Sequence, residues 1–484
     1  MGQYQRPGAP VKAAGKASRS CAGLAATAKA GAGGQAIALF ACRTRDCLLD
    51  RLSPAGLYRL TAGKTSVPER RSQRSIGGLT RRQVLGAALG AAALGAVGFR
   101  PRTAGAAQPP IRIGFCVPLT GPYGSEAQDQ VRCAQLAVRE FNASGGLNGR
   151  KAELLVRDSK LSPDEAATRT LELIENEHVD FVAGSLSASV QLAVNNITKQ
   201  HRILYNSISQ SDAINEPKDF SRYTFHEALN PTMTTDAVGR YAFPRFGKRV
   251  VFLLPDYAYG HEMTRGFKRV GKEFGIEVLS EIRHPLGTTD FSVFFPRIRA
   301  LKPDVLVCCN FGRDQQITLK QATDFGLKRA MKIVYPILLY TARLAVGPRA
   351  YQGVVGGTSY YWGLEKTVPA AKQFNDRYRA AYGGRVPSDY GAFGYAGVRT
   401  ILASVRQAGS VETDAVIRRM EALHYDFYKG PEYYRACDHQ AVQSVLIVES
   451  KPAPADNQFD VFKILEVYGP NRVHLRSCRE LGYS

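Results

Sequence analysis

From Ile111 onward the chain alternates short apolar runs with longer segments whose apolar positions recur every three to four residues. The first run, IRIGFCVPL (Ile111–Leu119), has strand length. AQLAVREFN (Ala134–Asn142) then carries Ala134, Leu136, Ala137, Val138 and Phe141 largely on one side of a helix. AELLVRDS, VDFVAGS and RILYNSIS read as three further strands, separated by helices over PDEAATRTLELIENE and SVQLAVNNITKQH. Ser162 and Pro163 start the first of these helices: the hydroxyl caps it, and proline lacks an N–H only where none is needed. A second series follows YTFHEALNP (Tyr223–Pro231). Helices over TTDAVGRYAFPRF, HEMTRGFKRVGKEFG, FSVFFPRIRAL and QQITLKQATDFGL alternate with strands KRVVFLLPD, IEVLSEIRH, PDVLVCCNF and KIVYPI. Apolar strands between amphipathic helices predict parallel sheets covered on both faces. Two such series predict an α/β protein of two doubly wound, Rossmann-like lobes, with ligands bound outside the carboxyl ends of the strands.

The polar residues at those ends are therefore the candidate chemistry. The first strand ends at Thr120-Gly121-Pro122-Tyr123, the third in GSLSAS (Gly184–Ser189) and the fourth in NSISQSD (Asn206–Asp212). In the second series Asp256, Tyr257 and Tyr259 follow one strand, and Asn310, Phe311 and Arg313 follow another. Hydroxyls beside the free N–H groups of a helix start form an anion-binding corner. Aromatic groups from the facing lobe would cover an apolar ligand body. Each serine alone reads as a cap or turn residue; five such segments at five strand ends favour a site.

Composition trims the alternatives. The 484 residues carry a net charge of +22. Of the 64 Lys and Arg, 17 precede residue 108, against 3 of the 42 Asp and Glu, so +14 of the charge lies ahead of the folded pattern. What remains is a mildly basic surface, and no nucleic-acid partner is expected. No GxGxxG follows a strand, and GxxxxGK[ST], GxSxG and HExxH are absent, so no cofactor or metal is implied. None of the nine cysteines is spaced CxxC. Cys308 and Cys309 read as buried strand thiols. Cys437 and Cys478 either pair, in an oxidising compartment, or stay free. His439, two residues from Cys437, leaves open a Cys–His nucleophile.

The segment 80–107 joins Arg81-Arg82, the uncharged run Val84–Phe99 and the small residues Ala104-Gly105-Ala106. That order fits a secretory signal peptide, and the paired arginines resemble a twin-arginine signal, although Val84 and Gly86 depart from its pattern. A buried Ala-rich helix is the alternative. Residues 1–79 lack the apolar content for a core and are expected to be disordered or spurious. The next methionine after Met1 is Met233, so a later start would need another codon, such as that of Val67.

PLTGPYG, EFNASGGLNGRK (Glu140–Lys151), the Asp of VRDS, VAGSLSASVQ and LPDYAYG together resemble the periplasmic solute-binding proteins of branched-chain amino-acid-type ABC importers, over residues 110–450. The resemblance implies a type I periplasmic binding fold: a non-enzymatic, exported monomer of two lobes joined by three hinge crossovers. Such a protein hands a small-molecule ligand to a membrane permease and needs no cofactor. Lobe 1 is expected over 108–230 and 355–432, lobe 2 over 231–354 and 433–466, and a tail over 467–484. The crossings are expected near Glu227–Pro231, Val354–Thr358 and Lys429–Arg435. Matching positions make Ser187 and Ser189 ligand-carboxylate binders, and Ser209, Gln210 and Ser211 binders of carboxylate and amino groups. Tyr259 and Phe311 close over the ligand from lobe 2, and Tyr123 is a weaker match. Where the family's amino-acid binders place an acid after the last lobe-2 strand, this chain has Ile337 and Leu338. An apolar or aromatic acid or amide is therefore expected over a plain amino acid, since a buried ammonium without a counter-charge is costly. Ser159 and Ser187 stand where the family's disulfide would be. A ligand-sensing receptor on the same fold, and an enzyme using Cys437 and His439 or Asp256, are the rival readings.

Overall fold

A computed structural model describes residues 108–483; the expected signal segment at 80–107 and the extension before it lie outside them. Five strands, β1 (Ile111–Val117), β2 (Ala152–Asp158), β3 (Phe181–Gly184), β4 (Tyr205–Ser207) and β5 (Thr224–His226), form one parallel sheet in the order β2-β1-β3-β4-β5. The intervening helices are α1 (Gly124–Ala143), α2 (Pro163–Glu175) and α3 (Ala188–Gln200). Ser162 caps α2 as expected, accepting from the Glu165 N–H. α1 begins ten residues before its apolar pattern, because its first turns bury Glu126, Asp129 and Gln130. Asn142 then pins the chain to the start of β2 by accepting from the Ala152 N–H and donating to its carbonyl. Inside the same turn a Cβ on Gly146 would lie 2.1 Å from the Arg150 carbonyl oxygen, so this position admits only glycine.

The second lobe holds α4 (Pro231–Phe246), α5 (Ala258–Phe274), α6 (Phe295–Ala300), α7 (Gly312–Asp324), α8 (Tyr340–Val346) and α9 (Pro348–Tyr351). Its strands are β6 (Arg249–Pro255), β7 (Glu277–His284), β8 (Val305–Cys308), β9 (Lys332–Ile337) and β10 (Val355–Thr358). The chain then returns to the first lobe with α10 (Pro369–Ala381), α11 (Asp389–Ala408) and α12 (Thr413–Glu421); α11 packs along α1. A small antiparallel sheet, β11 (His424–Tyr425), β12 (Glu432–Tyr434) and β13 (Ala441–Val442), follows. Finally β14 (Val445–Ser450) and β15 (Phe462–Tyr468) extend the second sheet, ordered β15-β14-β10-β9-β8-β6-β7, before α13 (Cys478–Leu481). From β10 to β7 its neighbours pair in parallel, while β14 pairs antiparallel with both β10 and β15.

The fold is the expected α/β pair of doubly wound lobes. The first crossing runs from β5 into α4. Val355–Thr358, expected at the second crossing, pairs with β9 and β14, so the chain leaves the second sheet only after Thr358. Glu432–Tyr434 lies in the small sheet beside β5, where Tyr434 packs on Phe225 with ring centres 5.0 Å apart. The third entry into the second lobe is therefore β14, later than Lys429–Arg435. Among the described residues no helix is long and apolar enough to cross a membrane.

Candidate functional site

The loop after β1 is set by the last residue of β2. Asp158 accepts from the Leu119 N–H at 2.9 Å and the Thr120 hydroxyl at 2.7 Å, which fixes the path of PLTGPYG. That path brings Tyr123, buried at the start of α1, against the second lobe. Its ring meets Phe311 edge-on at 4.8 Å, and its hydroxyl lies 2.9 Å from that of Tyr257. The Arg313 N–H donates to the Pro122 carbonyl at 3.0 Å. Gly312, between Phe311 and Arg313, has φ +55°, and a Cβ there would stand 2.5 Å from the Tyr123 ring. The lobes thus close on each other at this point through backbone, hydroxyls and rings together.

Phe311 is the hub of the aromatic group. Beyond Tyr123 it meets Tyr259 at 6.1 Å and Tyr390, in the first turn of α11, at 4.9 Å. The Tyr390 hydroxyl accepts from the Gln210 amide at 3.2 Å. Tyr123, Tyr259, Phe311 and Gln210 are thereby brought together, all of them buried. The Gln210 Oε1 and Tyr259 hydroxyl oxygens are buried without a hydrogen-bond partner.

The serines fall in three settings. Ser187 holds the capping position of α3, but its side chain makes no cap hydrogen bond, and Ser189 is half-buried in the first turn. Ser209 is fixed through its backbone: its carbonyl lies 2.6 Å from Nε2 of His226, whose imidazole burial holds down at about 4. With its amide turned so that nitrogen faces the Ser207 hydroxyl, Gln191 donates to the Ser209 carbonyl at 2.9 Å and accepts from the Ser211 N–H at 3.1 Å. One α3 side chain thus shapes the whole 209–211 loop. The Ser211 hydroxyl donates across the lobe boundary to Glu262 of α5 at 3.0 Å, and the Asp212 N–H donates to the same carboxylate at 2.8 Å. Burial, then the neighbouring Asp212, push the Glu262 carboxyl up to about 7.

Just past β9, Tyr340 packs on Tyr361 and Phe462, with ring centres 6.0 and 6.1 Å away. Ile337 and Leu338 are buried at the end of β9, and the Ile337 carbonyl accepts from Gln315. Cys437 is bonded to Cys478, so it offers no thiol to the adjacent His439, whose Nδ1 lies 2.9 Å from the Thr224 carbonyl. Asp256 is exposed and paired with His261 at 2.9 Å. Sequence reasoning missed Tyr390, which opens a helix instead of ending a strand, and Glu126, which accepts from the Thr341 hydroxyl of the second lobe but sits in a stretch too polar to read as helix.

Among the described residues no group of three or more His, Cys, Asp or Glu side chains is placed to hold a metal. What the lobe boundary brings together is a group of rings and hydroxyls supplied by both lobes.

Comparison with known proteins gives a common context for this arrangement. A family model described as periplasmic binding protein matches residues 110–457. A Leu/Ile/Val-binding protein homologue of Brucella abortus is 24% identical over 327 residues, covering 65% of this chain and 81% of its own. The amino acid ABC transporter substrate-binding protein of Pseudomonas fluorescens superposes with a TM-score of 0.72 at 25% identity, covering 78% of this chain and 100% of its own. A solute-binding protein of an ABC transporter from Rhodopseudomonas palustris, solved with 3,4-dihydroxybenzoic acid, shares the fold with a TM-score of 0.68 at 22% identity, covering 75% and 98%.

Proposed function

Because this chain belongs to the periplasmic binding protein family, we propose that it captures a small ligand outside the cytoplasm for an ABC importer and releases it to the membrane permease. The observation that carries this reading is the set of contacts across the lobe boundary: Tyr123 to Tyr257, Pro122 to Arg313, and Ser211 to Glu262. All of them must break for the lobes to part, and a ligand held by both lobes would favour the closed state by its extra contacts. The ligand bears a carboxylate or amide, received by Ser187, Ser189 and the first amides of α3, with Ser209, Gln210 and Ser211 beside them. Its body is apolar or aromatic and lies against Tyr259, Phe311 and Tyr123. The ring-lined cleft supports that body, and the uncapped Ser187 supports that head. The protein acts as a monomer and leaves its ligand unchanged; the thiol that an enzymatic reading would use is held in the Cys437–Cys478 bond.

A thermal-shift screen of purified protein against amino acids, aliphatic and aromatic acids, amides and urea tests the reading. A ligand at a hundred times its dissociation constant stabilises the protein by about 2.7 kcal/mol. It should be recovered intact at one per chain. No shift with any carboxylate or amide, or recovery of a converted product, would sink it.

A further inference from the structure

One contact across the lobe boundary is made by an acid that has no cation. Glu262 reaches from α5 of the second lobe to the loop after β4 of the first, and is 4% exposed. Its Oε1 accepts from the Ser211 hydroxyl at 3.0 Å, and its Oε2 from the Asp212 N–H at 2.8 Å. The ion pairs of α5 lie elsewhere: His261 with Asp256, Lys268 with Glu281 and Glu273 with Arg240. Glu262 has none among the described residues. Of the charged groups around it, Arg265, one turn on, is exposed, and Asp212 is a second acid, whose own carboxylate accepts from the Thr232 N–H. Arg269 and Arg476 act on Asp212, and the Tyr257 hydroxyl, which also faces Glu262, is bonded to Tyr123.

Closing the lobes therefore takes a carboxylate out of water and gives it hydrogen bonds but no counter-charge, which is costly. A proton removes that cost without removing the contacts. On a neutral Glu262, Oε2 still accepts from the Asp212 N–H, and the Oε1 hydroxyl donates to the Ser211 oxygen. Parting the lobes returns the acid to water and to the ordinary carboxylate range. The closed form, where burial and Asp212 hold Glu262 up at about 7, is thus the form that binds the extra proton. Its advantage is full below the ordinary carboxylate range and fades as pH climbs through the raised value. Glu126 mirrors this arrangement from the first lobe, accepting from the Thr341 hydroxyl of the second at 2.5 Å. Burial raises Glu126 as well, and Asp129, one turn on, adds to the effect, so it acts in the same direction.

We infer that Glu262 is a proton-operated latch: the lobes close on its neutral form and part on its ionised form, so that mild acid favours the closed, ligand-holding state. The inference rests on the hinge closure in the reading above and adds a proton to what closure takes up. It places the control of opening on one side chain of α5, outside the ring group around Phe311.

Small-angle scattering on the purified, oxidised, ligand-free protein at constant ionic strength tests this. The wild type should have a smaller radius of gyration at pH 5.5 than at pH 8. Glu262→Gln keeps an acceptor for the Asp212 N–H and a donor for Ser211 but cannot ionise, so it should hold the smaller radius at pH 8. Should that variant fail to fold, hydrogen exchange on the wild type decides. After correction for the intrinsic pH dependence of exchange, the amides of 211–213 should be protected at least about tenfold better at pH 5.5 than at pH 8. The Ala152 amide, bonded to Asn142 within the first lobe, should show no such change. Equal radii and equal protection at the two pH values, or a wild type more compact at pH 8, overturn the inference. A Glu262→Gln protein that opens at pH 8 as the wild type does also overturns it, and assigns the response to Glu126. If pH leaves the radius unchanged while an acid or amide of the thermal-shift screen binds, the latch falls and the binding reading stands. A radius that follows pH in a protein that binds nothing in that screen keeps the latch and overturns the binding reading.

Discussion

At the scale of single residues, closure depends on how near two backbones approach, and Gly312 is where that is tightest. Its φ of +55° and the 2.6 Å from a would-be Cβ to the Pro122 carbonyl oxygen leave no room for a side chain while the lobes are shut. Gly312→Ala should relieve the clash by opening the lobes. Ligand affinity is expected to fall at least tenfold, while the ligand-free protein loses only about 1 kcal/mol for the left-handed backbone. Gly347→Ala is the control: Gly347 also has a positive φ, +93°, but nothing lies within 4 Å of its would-be Cβ. Equal losses of affinity in the two variants, measured by calorimetry, would show that strain and not closure is responsible. The residues of this contact differed in how readable they were. Tyr123, Tyr259 and Phe311 follow strands of a parallel sheet, where ligands gather, so their places were legible. Tyr390 was not, because it reaches Phe311 from the start of a helix in a stretch that strand-end logic does not search. Glu126 was masked by its own polarity.

At the scale of elements, strands and helices up to β9 follow the apolar pattern closely, since each is one buried run or one buried face. The exceptions have physical causes: β5 has three residues between polar neighbours, and the first turns of α1 bury charge. The hinge was legible only as approximate crossing points, because what ties it is polar. Lys429 donates to the Ser359 carbonyl at 3.1 Å and to Gln443, and Gln443 donates to the Glu227 carbonyl. Tyr425 and Tyr434 donate to the Glu227 carboxylate. One buried lysine thus joins all three crossings. Burial raises Glu227, with the two tyrosines and then Lys429 opposing; burial also raises Glu432, with Lys429 opposing. An acid raised in the folded state adds stability that is full below its ordinary value and fades as pH climbs through the raised one. Lys429→Met should lift both acids further, so its cost should grow with pH. We expect a loss of about 2–4 kcal/mol at pH 8 and a smaller loss at pH 5, from urea unfolding at each. A cost independent of pH would mean that packing, not charge, is what Lys429 contributes.

At the scale of the whole molecule the lobes are joined by more than the three crossings. After β15 the chain leaves the second lobe and its end lies on the first: the Tyr483 hydroxyl donates to the Asn215 carbonyl at 2.7 Å, and Arg476 pairs with Glu216 at 2.8 Å. The Cys437–Cys478 disulfide fastens this strap beside β5, closing a loop across 41 positions. A loop of that length contributes about 2–4 kcal/mol when cross-linked, and the strap also limits how far the lobes part. The bond requires an oxidising compartment, which ties it to export: the four other described cysteines, Cys116, Cys133, Cys308 and Cys309, are buried and free, so only this pair reports where the chain folded. Replacing Arg81 and Arg82 together by lysine should hold the chain in the cytoplasm with Cys437 and Cys478 reduced, as read by thiol alkylation before lysis. Reduced protein should unfold at lower urea and, in small-angle scattering without ligand, show a larger radius of gyration than the oxidised form. An oxidised, exported double-lysine chain would remove the twin-arginine reading. Equal radii would leave the disulfide a stabiliser of the tail alone, with the range of opening set by the three crossings and Lys429.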